Sequence, residues 1–193
     1  RRKDTREATV RQFMKRYHVD TVQAHRVERL AKKLYEQFST GKNMVYGVQL
    51  LSWAARLHEI GLSVAHSGFH KHSAYIVSNA DMPGFSRMEQ QHTALLVRSH
   101  RGSVEKLRNR VSSESDWTLL VALRLAVLMY RSRSDKRLPR IPAAKNNSTY
   151  TLDIDAGWLE ANPLTAAELR DEIASWRKLG VKLSVPALAK AKT

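Results

Sequence analysis

The chain has 193 residues and an apolar fraction of 42%, enough for one main domain with at most a small appendage. It contains no cysteine, which excludes disulfides, thiolate–zinc sites and cysteine nucleophiles. Thirty-three Lys and Arg against 18 Asp and Glu leave a net charge of +15, which favours a polyanionic partner such as polyphosphate, a nucleotide or nucleic acid.

The predicted elements are mostly helical, in keeping with only 8 glycines and 5 prolines. "DTRE" reads as a capping box with Asp4 as N-cap and Glu7 three residues later. Val10, Phe13, Met14 and Tyr17 follow it at helical spacing. A second helix starts at Asp20, shows an apolar stripe from Val27 to Phe38 and closes at Gly41. A third covers 47–60 and stops at Gly61, and a fourth covers 70–79 and ends before the "DMPGF" turn. "SRME", Ser86 to Glu89, opens a fifth that runs to about His100. Asp116 is the expected cap of a sixth, "WTLLVALRLAVLMY", which is apolar on nearly every side and so belongs at the centre of a bundle. After Arg133 the pattern changes. "KNNS" (145–148) reads as a hairpin turn followed by the alternating strand "TYTLDID". "TAAE" (165–168) caps a further helix that ends at Gly180, and "VKLSV" is a short strand. No apolar run reaches the roughly 18 residues needed to cross a bilayer, and no signal-peptide pattern opens the chain. The expected setting is therefore cytoplasmic, with no membrane partner.

Four histidines and a glutamate crowd the stretch "LHEIGLSVAHSGFHKHSAY", residues 57–75. Together with His25 on the second helix, His58-Glu59 resembles the ligand pattern of the HD phosphohydrolases. In those enzymes imidazoles and hard carboxylates hold divalent metals while leaving positions open for water and phosphate. Two departures stand out. Val127 occupies the place of the final aspartate on the central helix and has no donor atom, and Glu59 replaces an aspartate. His25, His58 and Glu59 are therefore read as vestigial, with no metal held by this chain.

A closer resemblance rests on "YHVDTVQAHRV", on "LLSWAARLHEIGLSVAHSGFHKHSAYIVSNADMPGFSRMEQQ", and on "LLVRSHRG" and "LLVALRLAVLMYRSR". In order, these are similar to the C-terminal half of the exopolyphosphatase / guanosine pentaphosphate phosphohydrolase (Ppx/GppA) family. The likeness covers residues 1 to about 133, and the tail matches only in outline. It implies an HD-like helical bundle over 1–137 and a small α/β appendage of hairpin, helix and strand over 138–193. It also implies a parent enzyme that releases terminal phosphate from inorganic polyphosphate or pppGpp. The catalytic carboxylates and Mg²⁺ would belong to an actin-like N-terminal half of the same polypeptide, absent from this chain. The C-terminal half would bind the polyanion and support a homodimer, and the isolated chain would be inactive.

Nine residues are candidates for substrate contact. His66, His70, Lys71 and His72 can donate hydrogen bonds to phosphate oxygens. Arg98, His100 and Arg101 close the fifth helix, where they also complement its dipole. Arg56 and Arg124 interrupt apolar stretches, so each needs either a buried carboxylate or a bound anion. The basic run "RSRSDKR" (131–137) is a solvated linker or a track for a phosphate chain. No aromatic residue interleaves it to stack bases, which favours polyphosphate over single-stranded nucleic acid. Two alternatives remain: an independent metal-dependent HD-type nucleotide phosphohydrolase, and a nucleic-acid-binding module.

Overall fold

A computed structural model describes residues 2–41, 44–111, 113–135 and 137–190. Among these, the architecture is mainly α: a bundle of six helices, then a small three-stranded sheet with three further helices. The bundle comprises α1 (Arg2–Arg16), α2 (Thr21–Phe38), α3 (Met44–Leu57), α4 (Phe69–Asn79), α5 (Arg87–Ser99) and α6 (Glu114–Met129). The appendage comprises β1 (Ala143–Asn146), β2 (Thr149–Leu152), α7 (Ala156–Ala161), α8 (Pro163–Lys178), β3 (Lys182–Ser184) and α9 (Pro186–Lys190).

Local chemistry explains most of the boundaries. Asp20 caps α2 by accepting from the Gln23 amide, and Ser86 with Glu89 forms the full reciprocal capping box of α5. Three expected caps are displaced, the last being Thr165 of "TAAE", which lies inside α8 because that helix begins two residues earlier, at Pro163. α1 begins at Arg2, so Asp4 lies inside the helix, and the Glu7 carboxylate binds Arg56 instead. α6 is capped by Ser113, which accepts from the Asp116 amide. The Asp116 carboxylate thereby becomes free to take His92 Nε2 at 2.6 Å. Sequence periodicity also missed α7 and α9, which are too short to show a helical repeat.

α6 is the axle of the fold. Every residue from Thr118 to Ala126 is buried, and one continuous apolar cluster surrounds it, from Val10 on α1 through Leu34 and Leu57 to Leu152 and Trp176 in the appendage. In the appendage β1 pairs antiparallel with β2, and β2 pairs parallel with β3 across the α7–α8 crossover. Asn147, at φ 56°, turns the hairpin. Several side-chain bonds tie the sheet to the bundle, including Lys145 on β1 with Glu114 on α6 at 2.7 Å. Tyr150 shares a 2.7 Å hydroxyl hydrogen bond with Thr118, and the Ala143 amide donates to the Gln37 side chain at 2.9 Å.

Two guanidinium groups sit inside this apolar frame. Arg56 reaches both carboxylate oxygens of Glu7 at 2.6 and 2.8 Å, with Glu28 3.2 Å away, and so joins α1, α2 and α3. Arg124 is bidentate to Glu172 on α8 at 2.7 and 2.9 Å, and it also donates to the Ser99 and Gly102 carbonyls, each at 3.0 Å. Glu172 in turn accepts from the buried Trp176 indole at 2.9 Å. Removing one partner from such a pair leaves an uncompensated charge in the core. Arg124→Ala should therefore lower the unfolding free energy by about 3–5 kcal/mol in urea titrations. Glu172→Gln, which keeps the shape, should cost less. Equal unfolding midpoints for wild type and Arg124→Ala would contradict this account.

Candidate functional site

The histidine-rich stretch is shaped by close packing. α3 ends at Leu57, and the following tight turn leads through Gly61 against the start of α4. A Cβ at Gly61 would come within 2.3 Å of the Phe69 carbonyl and 2.5 Å of the Ser73 nitrogen, so only glycine allows this approach. Ser73 fastens the turn by accepting from the Gly61 amide at 2.7 Å and donating to the His58 carbonyl at 2.8 Å. Gly68, at φ 64°, then starts α4 from a left-handed conformation. His66 consequently stays in the loop before α4 and does not share a helical face with His70.

This turn forms one wall of a cleft of about 690 Å³. His58, Glu59, His66 and Phe69 come from the α3–α4 connection, and His100, Arg101 and Gly102 from the end of α5. Arg124, Val127 and Leu128 come from α6, Arg131 and Arg133 from the chain just after it, Gln23 from α2 and Glu172 from α8. Val127 thus faces the cleft and contributes methyl groups where an HD enzyme carries a carboxylate. Glu59 is held by Arg133, whose guanidinium donates at 2.6 and 3.2 Å and also reaches Asp20 at 3.0 Å. His25 is half-exposed and bonds Glu28 at 3.0 Å. Among the described residues, no three histidine, aspartate or glutamate side chains are grouped so that they could share a metal ion.

At the back of the cleft His58 and His100 stand edge to face, with ring centroids 4.8 Å apart. Both are only 2% exposed. Each donates Nδ1–H to a carbonyl of its own turn, Ala55 for His58 and Val97 for His100. A carbonyl can only accept, so the proton is on Nδ1 and Nε2 is a bare lone pair. Burial holds both rings below their ordinary pKa of 6.5, and His100 well below, with His58 and then His70 adding to the effect. Arg101, at the mouth, lies over the Phe69 ring at 4.7 Å and has no carboxylate partner among the described residues.

The nine sequence candidates separate into three places. His66, His100, Arg101 and Arg124 line the cleft. Every nitrogen of the Arg124 guanidinium is already bound to Glu172, Ser99 or Gly102. His70 stands beside it on α4, with its ring 6.3 Å from that of His100. Lys71, His72 and Arg98 line a second groove of about 570 Å³ between α4 and α5. Arg56 lies inside the bundle with Glu7. Arg131 and Arg133 are cleft residues that the sequence offered only as part of a basic run, a linker or a track for a phosphate chain, because nothing in "RSRSDKR" reveals which cleft they line. Phe69 and Gln23 carried no signal beyond their apolar or helical context.

The connections after α3, α5 and α6 thus define a helical domain with a cleft lined by arginines, histidines and a valine. Residues 5–173 match the family described as Ppx/GppA phosphatase, domain III. The chain belongs to that family. It is 35% identical over 190 residues to the guanosine-5'-triphosphate,3'-diphosphate pyrophosphatase of Pseudoalteromonas translucida, covering 94% of this chain and 38% of the relative. The proteins of the same name from Vibrio campbellii and Vibrio parahaemolyticus are 37% and 36% identical, over 96% and 97% of this chain and 38% of theirs. The chain therefore spans well under half the length of the curated relatives it matches.

The two buried imidazoles carry a pH signature. Their folded pKa values lie below 6.5, so as pH falls the unfolded chain binds protons before the folded one does. Their stabilising contribution is full above about pH 6.5 and is lost as pH drops from there toward the folded values. The urea midpoint should fall between about pH 7.5 and pH 5.5, and His100→Phe should flatten that fall. An unchanged slope in the variant would show that His100 titrates normally.

Proposed function

We propose that the cleft binds phosphate chains for an exopolyphosphatase-type hydrolase acting on inorganic polyphosphate or pppGpp. The observation that carries this reading is Arg101. It is a guanidinium without a carboxylate partner among the described residues, at the mouth of a cleft that also holds Arg131 and Arg133. Guanidinium donors match phosphate oxygens in geometry and charge. With valine at 127 and Glu59 engaged by Arg133, phosphate meets little negative charge at the mouth. The names of the relatives from Pseudoalteromonas and Vibrio support guanosine 5'-triphosphate,3'-diphosphate as a substrate for the whole enzyme.

A second basic surface extends the same reading. Arg26, Arg29, Lys33, Arg137 and Arg140 line a groove of about 770 Å³ between α2 and the segment after α6. Arg133 lines the cleft, and Arg137 and Arg140, a few residues later in the sequence, line this groove. A longer phosphate chain leaving the cleft would follow it, gaining affinity by counterion release. Phosphoryl transfer itself is assigned to an N-terminal half carrying Mg²⁺, and the homodimer belongs to the same proposal. On this reading the chain serves as a binding domain, in keeping with the lack of a metal-holding group among the described residues.

Arg101→Ala should weaken tripolyphosphate binding by about 10- to 100-fold in calorimetry, as expected for the loss of a charge-assisted hydrogen bond. Affinity in the wild type should fall with added salt. A variant that binds as tightly as wild type would remove the site from the cleft. In a phosphate-release assay with Mg²⁺ or Mn²⁺, the chain alone should leave polyphosphate and pppGpp intact. Turnover that disappears in His58→Ala would instead establish an independent metal-dependent phosphohydrolase.

A further inference from the structure

Two ion pairs of unequal strength join the end of α6 to α8. Arg124 lies inside α6, and Arg131 stands just beyond its last residue. Their partners, Glu172 and Glu168, are one turn apart on α8, so one face of that helix supplies both carboxylates. The inner pair is sealed. The side chains of Arg124 and Glu172 are 8% and 10% exposed, and two carbonyls hold the guanidinium as well. The outer pair is a contact of 2.9 Å between side chains 57% and 32% exposed. Water competes for both of its members, so the pair gains little by staying closed.

Arg133 is anchored differently. Its guanidinium takes both oxygens of the buried Glu59 and reaches Asp20. Its backbone sits at φ 54°, a left-handed conformation that a residue with a side chain adopts only under constraint. On the other side, the Tyr130 carbonyl is held by the Gln23 side chain at 2.9 Å. Between these two pins, Arg131 is the cation that can change partner without moving the backbone.

We propose that Glu168 is an internal competitor for the cleft: it masks Arg131, and a phosphate chain binds by drawing that guanidinium away from it. This rests on the reading of the cleft as a phosphate site and adds an autoinhibitory contact to it. Phosphate presents more charge to a guanidinium than one carboxylate does, in a geometry that suits two parallel donors. Once released, the Glu168 carboxylate is accessible enough to rehydrate. Glu59 and Glu172 would instead be left as unpaired charges in the interior, so they keep Arg133 and Arg124. The exchange is thereby confined to one pair.

The test is calorimetry with tripolyphosphate on the full 193-residue chain, without divalent metal. Glu168→Gln should bind about two- to fivefold more tightly than wild type, the range set by the loss of one exposed ion pair. Glu160→Gln makes the same charge change at an exposed position of α7 that lines no part of the cleft, and it should bind like wild type. Arg131→Ala should weaken binding, and adding Glu168→Gln to it should change nothing further, because the masked group is gone. A reading independent of any variant comes from the arginine ¹⁵Nε signals of the wild type: that of Arg131 should move with tripolyphosphate while that of Arg133 stays. Equal affinities for Glu168→Gln and Glu160→Gln, or a gain that survives without Arg131, would overturn the inference. So would an Arg131 signal indifferent to the ligand. If binding still depends on Arg101 in those cases, the phosphate site itself stands. No binding of tripolyphosphate at all would remove both.

Discussion

The arrangement of this molecule depends on satisfying one buried cation. Arg124 projects from α6, the most deeply enclosed helix, where a guanidinium survives only if all its donors are engaged. Glu172 meets two of its nitrogens from α8, and the Ser99 and Gly102 carbonyls meet the same group from the end of α5. One side chain thereby fixes the appendage to the bundle and sets the turn that carries His100 and Arg101. The charge adds little net stability compared with an apolar residue of the same shape, but it allows far fewer alternative packings.

The cleft beside it holds two buried imidazoles but, among the described residues, no group of three side chains that could share a metal ion. In a metal enzyme, imidazoles locked through Nδ1 present Nε2 to an ion, with carboxylates completing the shell. Here the locking is retained at His58 and His100. The carboxylate side has been altered: Val127 has no donor, and the Glu59 oxygens are drawn to Arg133. The result is a pocket with buried imidazoles inside and guanidinium groups outside.

The distribution of charge follows the same division of labour. Many of the basic residues are neutralised locally, as in Arg6 with Glu89, Arg26 with Asp135 and Lys145 with Glu114. These pairs hold elements together or decorate the surface, and the exposed ones contribute little to stability. At the cleft mouth Arg131 and Arg133 are themselves paired, with Glu168 and with Glu59 and Asp20, whereas Arg101 has no carboxylate partner among the described residues, and the groove beside α2 mixes five cations with Glu36 and Asp135. Electrostatic attraction from such surfaces raises the encounter rate with a polyanion.

Helical periodicity made the bundle legible from the sequence, because an amphipathic or wholly apolar helix must write its burial into residue spacing. The central position of α6, the capping box at Ser86–Glu89 and the hairpin at Asn147 all follow from local composition. The family, too, was readable in the "LHEIG" to "PGF" block. Tertiary structure alone decided which of the nine candidate residues share a site. Arg56 and Arg124 looked alike in the sequence, as cations in apolar helices, yet only the fold brings Glu7 to one and Glu172 to the other. Arg133 and His58 lie seventy-five positions apart, and their meeting at one cleft depends on how α6 ends. Spacing encodes the face that a residue presents, whereas its partners come from distant segments that only packing brings together.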